Sequence, residues 1–310
     1  MLFRSQQLAD EVLKVNAGFV QPRLIRIEAL MGVGEFRTSR TELQVLMSKL
    51  PNSRDVRNLL GLVDLAEAKY PDAEKNFKTL VEATPPDPRG LFGLAQVYIN
   101  TNRVEEGKRL LTTELAKNPP YARNIRLALG EIALRTGKSD EAVEVYKALV
   151  QDVPNVAELW VRLGESYRRA SKWDESLKAL DKAKEIAPRD PNPWLQTAMT
   201  LEAAGRKNEV RPVYEQILKL APDNAIALNN MAFLLAESGQ DLDQALTYAQ
   251  RAKQQLPNNP DVADTLGWVY IKKNLSDDAI KIFRDLVVQK PDNATWRYHL
   301  ALALFQKGDK

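Results

Sequence analysis

The sequence predicts an all-α solenoid, an array of antiparallel helix pairs stacked one on the next, and three observations carry that prediction. Prolines recur at Pro51, Pro85, Pro119, Pro154, Pro188, Pro222, Pro257 and Pro291, separated by 34, 34, 35, 34, 34, 35 and 34 residues. A fixed period of this size marks a chain built from one supersecondary unit whose apolar face is buried only by its neighbours. The text between the prolines repeats too, with Leu-Gly pairs at Leu60-Gly61, Leu129-Gly130, Leu163-Gly164 and Leu266-Gly267. In the middle of the units lie turn signals such as Asn102-Arg103, Gly137-Lys138-Ser139-Asp140 and Gly205-Arg206.

Taken in order, Arg4 to Asn16 reads as a lone second helix of a pair. The unit at 20–53 is degenerate, because Arg23 and Arg26 stand where apolar residues are usual. The unit at 54–87 carries Leu60, Gly61, Ala73, Phe77 and Pro85, with Pro71 in the first turn of its second helix, where the missing amide proton has no partner to lose. Unit 88–121 follows, and an insertion at Pro119-Pro120 separates it from unit 123–156, which carries Leu129, Gly130, Ala142, Tyr146 and Pro154.

In unit 157–190, Trp160, Leu163 and Tyr167 fall at spacings of three and four and so form one apolar stripe. Small Gly164 and Ala183 let the two helix axes approach, and Pro188 stops the second helix. Unit 191–224 has Pro212 in a first turn, unit 225–259 has a widened turn at Gly239-Gln240-Asp241-Leu242-Asp243, and unit 260–293 turns at Asn274-Leu275-Ser276-Asp277. Gly and Asn tolerate the left-handed conformation that ends the first helix, and Ser or Asp is expected to cap the second. Thr295 to Lys307 reads as a lone first helix ending at Gly308-Asp309. One solenoid over 1–310 is expected, with partial repeats at 1–19 and 294–310. Such ends predict a piece of a longer protein whose apolar end faces, Leu8, Val12 and Val15 at one and Leu300, Ala301, Leu304 and Phe305 at the other, fray or stack end to end.

Composition narrows the function classes. With 44% hydrophobic and 27% charged residues the chain has the apolar content of a folded core. Forty-four Lys and Arg balance forty-one Asp and Glu, so a net charge of +3 gives no field for nucleic acid. The modest cluster Arg162, Arg168, Arg169 and Lys172 is interleaved with Glu158, Glu165 and Asp174, which predicts a salt-bridged surface. No run approaches the apolar length of a membrane span, so no direct membrane insertion is expected, and Met1 to Phe19 lacks the apolar core of a secretory signal. Without cysteine there is neither a disulfide nor a thiolate site, and the composition suits a cytoplasmic or a periplasmic parent alike.

Catalytic patterns are missing. The single histidine, His299, supports neither a usual zinc site nor a catalytic triad and is read as structural or exposed. Gly137-Lys138-Ser139 resembles the end of a phosphate loop, but the preceding Gly130 is too far upstream and the context is a helix turn. Gly32-Val33-Gly34 lacks a third glycine and a preceding strand. Asn274-Leu275-Ser276 and Asn293-Ala294-Thr295 match the glycosylation triplet, a pattern short enough to arise by chance. No enzyme activity, cofactor or metal is expected.

Trp160-x-x-Leu163-Gly164-x-x-Tyr167, with the copies already named, resembles the tetratricopeptide-repeat family, and the resemblance covers nearly the whole chain. The style of Asn229-Asn230-Met231-Ala232-Phe233 and Asp264-Thr265-Leu266-Gly267-Trp268 is similar to long bacterial members of cell-envelope and exopolysaccharide systems. The family resemblance implies a right-handed superhelix whose first helices line a concave groove, and a non-catalytic scaffold that binds a protein or peptide there. It places Asn58, Leu62, Phe92, Gln96, Leu127, Glu131, Val161, Glu165, Arg168, Leu195, Met199, Asn229, Phe233, Asp264 and Trp268 on that groove. Their apolar members either anchor a partner or pack against neighbouring helices. The Lys/Asn/Arg clamp by which one subclass holds acidic chaperone tails has no counterpart at Asn58, Leu62, Phe92, Gln96, Leu127 and Glu131, and only Asn229 and Asn230 echo the asparagine ladder of another subclass. A regulatory or targeting segment of a larger enzyme-containing protein is the alternative.

Overall fold

The structure, a computed structural model, describes residues 2–16, 18–115 and 119–308. Met1, Ala17, residues 116–118, Asp309 and Lys310 lie outside the described residues, and with them the second half of the expected Gly308-Asp309 turn. Among the described residues there are eighteen α-helices, two short 3-10 turns and no strand. The helices are α1 (Leu2–Val15), α2 (Val20–Gly32), α3 (Phe36–Lys49), α4 (Arg54–Ala66), α5 (Tyr70–Val81), α6 (Pro88–Asn100), α7 (Val104–Leu115), α8 (Ala122–Arg135) and α9 (Ser139–Asp152). They continue with α10 (Ala157–Arg169), α11 (Trp173–Ile186), α12 (Asn192–Ala203), α13 (Val210–Leu220), α14 (Ala225–Ser238), α15 (Leu242–Gln255), α16 (Pro260–Lys272), α17 (Ser276–Gln289) and α18 (Ala294–Lys307). The even-numbered helices from α2 to α18 are the first helices of the pairs.

The chain divides into two compact units, Met1–Val145 and Tyr146–Lys310. In the first, each helix from α1 to α8 packs on its successor, and α2, α4, α6 and α8 also touch in sequence. In the second, each helix from α10 to α18 packs on its successor, and α10 touches α12, α14 touches α16 and α16 touches α18. Each unit therefore stacks hairpins with contacts confined to near neighbours, the arrangement that a single repeated motif produces.

The period prolines sit where helices stop. α3, α9, α11, α13, α15 and α17 end two residues before Pro51, Pro154, Pro188, Pro222, Pro257 and Pro291. Inside the pairs, Ala68, Asn102, Gly137, Ser171, Gly205 and Asn274 have φ between 56° and 72°, the left-handed conformation that ends a helix. The amide of the next residue then donates back into the first helix, as in Lys69 to Asp64 O at 2.7 Å, Arg103 to Tyr98 O at 2.7 Å and Leu275 to Tyr270 O at 2.9 Å. This Schellman closure accounts fully for Gly137-Lys138-Ser139, where Lys138 N donates to Ala133 O at 2.9 Å.

The caps fall on the other helix from the one expected. Ser53, Asp87, Asn224, Asn259 and Asn293 cap first helices through their side chains, while Ser276 is already the first residue of α17 and Leu275 before it makes no side-chain cap. The reason is backbone conformation. These capping residues are extended, which aims the side chain at the amides of the first turn, whereas the Schellman residue runs straight into the second helix. The widened turn is the exception, where Asp241 at φ 49° accepts from Gln244 N at 3.4 Å. Asn293 of the second glycosylation triplet is thus a cap, accepting from Trp296 N at 3.1 Å.

Two aromatic residues hold the helix pairs at close range. Phe77 is fully buried, and a Cβ placed on Gly93 or Gly61 would lie 2.3 or 2.7 Å from its ring. Phe283 stands in the same relation to Gly267, at 2.6 Å. Elsewhere charge replaces apolar packing. Arg26, one of the two arginines that make the first unit degenerate, pairs with Asp10 at 2.9 Å and Glu42 at 3.0 Å. Arg40 reaches from α3 to Asp64 of α4 at 2.7 Å and to Glu67, and Asn76 of α5 donates to Asp64 at 2.9 Å. At the outer helices, Leu8, Val12 and Val15 of α1 and Phe305 of α18 are exposed.

Candidate functional site

The first helices of each unit present one face, and the expected groove residues divide on it by how far packing leaves them open. In the first unit, Leu62 of α4 packs between the cluster of Leu24, Ile27, Leu43 and Val56 and that of Ala73, Phe77 and Leu94. Phe92 of α6 is half-buried against Leu91, Ala95, Leu111 and Ile125. Gln96 Nε2 donates to Asn100 Oδ1 at 2.8 Å. Asn58 and Leu127 are half-buried, and Glu131 is exposed.

Arg89, on the same face of α6, is occupied. Arg89 Nη2 lies 2.6 Å from Asp87 and Nη1 lies 2.7 Å from Asp55. Asp87 first, and Asp55 with it, push the Arg89 guanidinium above its ordinary range against the effect of burial, and Arg89 in turn holds the Asp87 carboxyl below the usual carboxylate range. These ion pairs brace α6 against α4 and occupy the Arg89 guanidinium.

The second unit is more open. Val161 of α10 is the correction to the expected face: at 4% exposure it is buried against Leu180 and Ala183 of α11 and lines no groove. Glu165 lies between Arg162 at 3.2 Å and Arg169 at 2.8 Å, which makes the basic cluster of α10 the salt-bridged surface its sequence predicts. Arg168 differs from its neighbours. Burial lowers its guanidinium pKa, and its Nε is a buried donor with no acceptor. Leu195 of α12 packs on the core of Ala198, Met231, Leu235 and Leu266, while Met199 one turn later is 43% exposed.

On α14, Phe233 is 45% exposed, and beneath it runs a polar chain. Asn229 Nδ2 donates to Asn230 Oδ1 at 3.1 Å, Asn230 Nδ2 to Tyr214 Oη at 2.6 Å, and Tyr214 Oη to Glu202 Oε1 at 2.8 Å. Burial pushes the Tyr214 phenol above its ordinary range, so it stays a hydrogen-bond donor at physiological pH. On α16, Asp264 Oδ1 lies 2.8 Å from His299 Nδ1 of α18. Trp268 donates from Nε1 to Glu237 at 2.8 Å, its ring stands 4.7 Å from that of His299, and Lys272 Nζ lies 4.6 Å above it. His299, 5.2 Å from Phe283 on its other side, is a packing residue that joins α16, α17 and α18.

Ile226, Tyr298 and Phe305 are exposed on the same helices at the same register and were not among the expected residues. The spacing rule that selected Met199 and Phe233 reaches them equally when it is extended to the second position of α14 and to α18. Among the described residues no group of three or more His, Asp or Glu is placed to hold a metal ion, and no helix is long and apolar enough to cross a membrane.

Comparison with known proteins agrees with this architecture. The human Tetratricopeptide repeat protein 34 is 24% identical over 127 residues, 41% of this chain and 22% of that protein. The Hsp70-Hsp90 organizing protein 2 of Arabidopsis thaliana is 25% identical over 132 residues, 43% of this chain and 23% of that protein. The aligned stretches thus span less than a quarter of the length of these curated relatives. The crystal structure of the C-terminal part of a TPR repeat-containing protein from Cytophaga hutchinsonii superposes with a TM-score of 0.59 at 15% identity, over 78% of this chain and 99% of that one. A chain of the APC/C hetero-tetramer Cut9-Hcn1 gives 0.57 at 14% identity, over 98% of this chain and 59% of its own length. Both show a shared fold. Residues 64–290, well over half of the chain, match the family described as the Cilia and flagella-associated protein 70 C-terminal domain, and with its stacked, Schellman-closed hairpins the chain belongs to that tetratricopeptide-repeat family.

Proposed function

We propose that this chain is a non-catalytic scaffold that binds a protein or peptide on the open face of its first helices. The observation that carries the reading is the exposure of Met199 and Phe233 at successive equivalent positions of α12 and α14, beside the Trp268 ring at the next such position of α16. Removing apolar surface of this kind from water favours association, and Met and aromatic side chains dominate the energetics of interfaces. The Hsp70-Hsp90 organizing protein, as its name says, organises other proteins, which supports an interaction role.

The test is affinity capture with the wild-type chain and with Met199→Ala/Phe233→Ala. Both side chains are half-exposed, so the double variant is expected to fold normally while retention of the partner falls at least tenfold, the effect of losing one hot spot of about 2 kcal/mol. Equal retention by the two proteins moves the site away from this face. A second reading, a regulatory or targeting segment of a larger enzyme-containing protein, is favoured by the small share of each curated relative that the aligned stretch covers. An adjoining catalytic domain in the parent coding sequence supports it, and a parent consisting of repeats alone removes it.

A further inference from the structure

From α12 to α18 the charge in the register of Met199 and Phe233 is one-sided, whereas α10 before it carries Arg168. Among the second, fifth, ninth and twelfth residues of the units that begin at 191, 225, 260 and 294, Ala236 and Ile271 are buried; of the others the charged ones are Glu202, Asp261 and Asp264, and none is Lys or Arg. Glu202 and Asp261 are exposed, with Glu202 using one oxygen for Tyr214, and Asp264 uses one for His299. Each keeps acceptor capacity beyond those bonds. Two further acceptors on these helices, Gln196 Oε1 and Asn229 Oδ1, are buried without a donor. Of the cations beside this face, Lys272 is held over the Trp268 ring and 3.7 Å from Glu237, and Arg297 is exposed next to Tyr298 on α18. The cationic side chains of α10 lie outside this stretch, and Arg162 and Arg169 there are already paired with Glu165.

An apolar row whose own charged members are all acidic complements a partner with an apolar row flanked by donors. We propose that the α12–α18 face binds a basic amphipathic protein segment, its apolar side chains over Met199, Phe233 and Trp268 and its lysine or arginine side chains against Glu202, Asp261 and Asp264. The proposal rests on the scaffold reading above and adds the chemistry of the occupant. Complementary charge sets the choice of partner and the rate of encounter, while the apolar contacts carry most of the affinity. Acidic segments are disfavoured because they would bring like charges together on a partly desolvated face.

The experiment uses the full chain and three labelled synthetic peptides: one with a leucine stripe and a lysine face, one with the same stripe and a glutamate face, and a lysine peptide in which the leucines are replaced by serine. Fluorescence anisotropy is expected to show binding of the first, at least tenfold weaker binding of the other two, and weakening of the first by added salt. Glu202→Gln/Asp261→Asn/Asp264→Asn is expected to weaken the first peptide about tenfold, the sum of three modest ion pairs, with the circular dichroism spectrum unchanged. Phe233→Ala, which leaves every charge in place, is expected to weaken it by a similar factor. Binding of the glutamate peptide as tight as that of the lysine peptide, with both lost in Phe233→Ala, overturns the basic partner while keeping the binding face. Binding of either peptide that neither variant alters overturns both.

Discussion

Phe283→Ala is expected to lower the stability of the second unit by about 3–5 kcal/mol, the cost of emptying a large aromatic site in a packed core. Phe283 is 0% exposed and fills the space left by the missing side chain of Gly267 on α16, while its other side faces His299. Neither helix backbone can close on the cavity without dragging the stacked neighbours with it. The reverse change, Gly267→Ala, is expected to destabilise by overpacking, about 1–3 kcal/mol, because the new methyl lies 2.6 Å from a ring with nowhere to turn. Urea unfolding followed through Trp268 and Trp296 fluorescence reads both, since these residues flank the site. A loss below 1 kcal/mol for Phe283→Ala would show that the helix pairs are not held together by this contact.

Arg40→Ala is expected to cost the first unit a comparable amount, about 3–5 kcal/mol, by a different route. Asp64 is only 2% exposed, and Arg40 is its counter-ion at 2.7 Å, so removal of the guanidinium leaves a buried carboxylate with Asn76 as its remaining side-chain donor. Burial works against the charge of Arg40, and Asp64 and Glu67 outweigh it, raising its pKa. Because a buried pair is costly in itself, Arg40→Leu/Asp64→Leu is expected to be milder than either single change, as measured by chemical denaturation. Glu67 fixes the sign of the pH dependence. Lys69 and then Arg40 hold its pKa below the usual value, so its contribution is present above the unfolded carboxylate range and is lost as acid protonates it. The margin of wild type over Arg40→Ala is therefore expected to shrink below about pH 4.

The proline period made the helix ends legible because a missing amide proton is a local property, and each stop at Lys49, Asp152, Ile186, Leu220, Gln255 and Gln289 needs nothing from the rest of the chain. The left-handed turns at Asn102, Gly137, Gly205 and Asn274 were legible for the same reason. Ala68 and Ser171, which adopt the same conformation, were not, since nothing in either side chain favours it and the Schellman bonds impose it. The caps at Asn224, Asn259 and Asn293 were not legible, because capping depends on whether the chain arrives extended, a property of the closure before it.

The face of the first helices was legible in register and illegible in exposure. Position along a helix says which way a residue points, and that sufficed for Met199 and Phe233. Whether a side chain meets water depends on its neighbours, and so Val161 and Phe233, both expected on the groove, end at 4% and 45% exposure. The contact between Asp264 and His299 joins residues thirty-five apart in sequence and shows only once α16 and α18 are side by side. The one-sided charge of the α12–α18 face was present in the sequence throughout, but a net charge of +3 with both signs interspersed conceals it until the face is separated from the rest of each helix.

The central claim, that partners bind on the open face of the second unit, is tested most directly by methyl NMR of the methionines. The chain has five, and four of them report on distinct places: Met31 and Met47 pack on the α2–α4 core of the first unit, Met231 is on the buried side of α14, and Met199 stands on the open face. On titration with the lysine-faced amphipathic peptide, the Met199 methyl is predicted to shift and broaden with the binding curve, Met231 to move slightly, and Met31 and Met47 to stay fixed. A Met199 resonance that does not move at saturation contradicts the account.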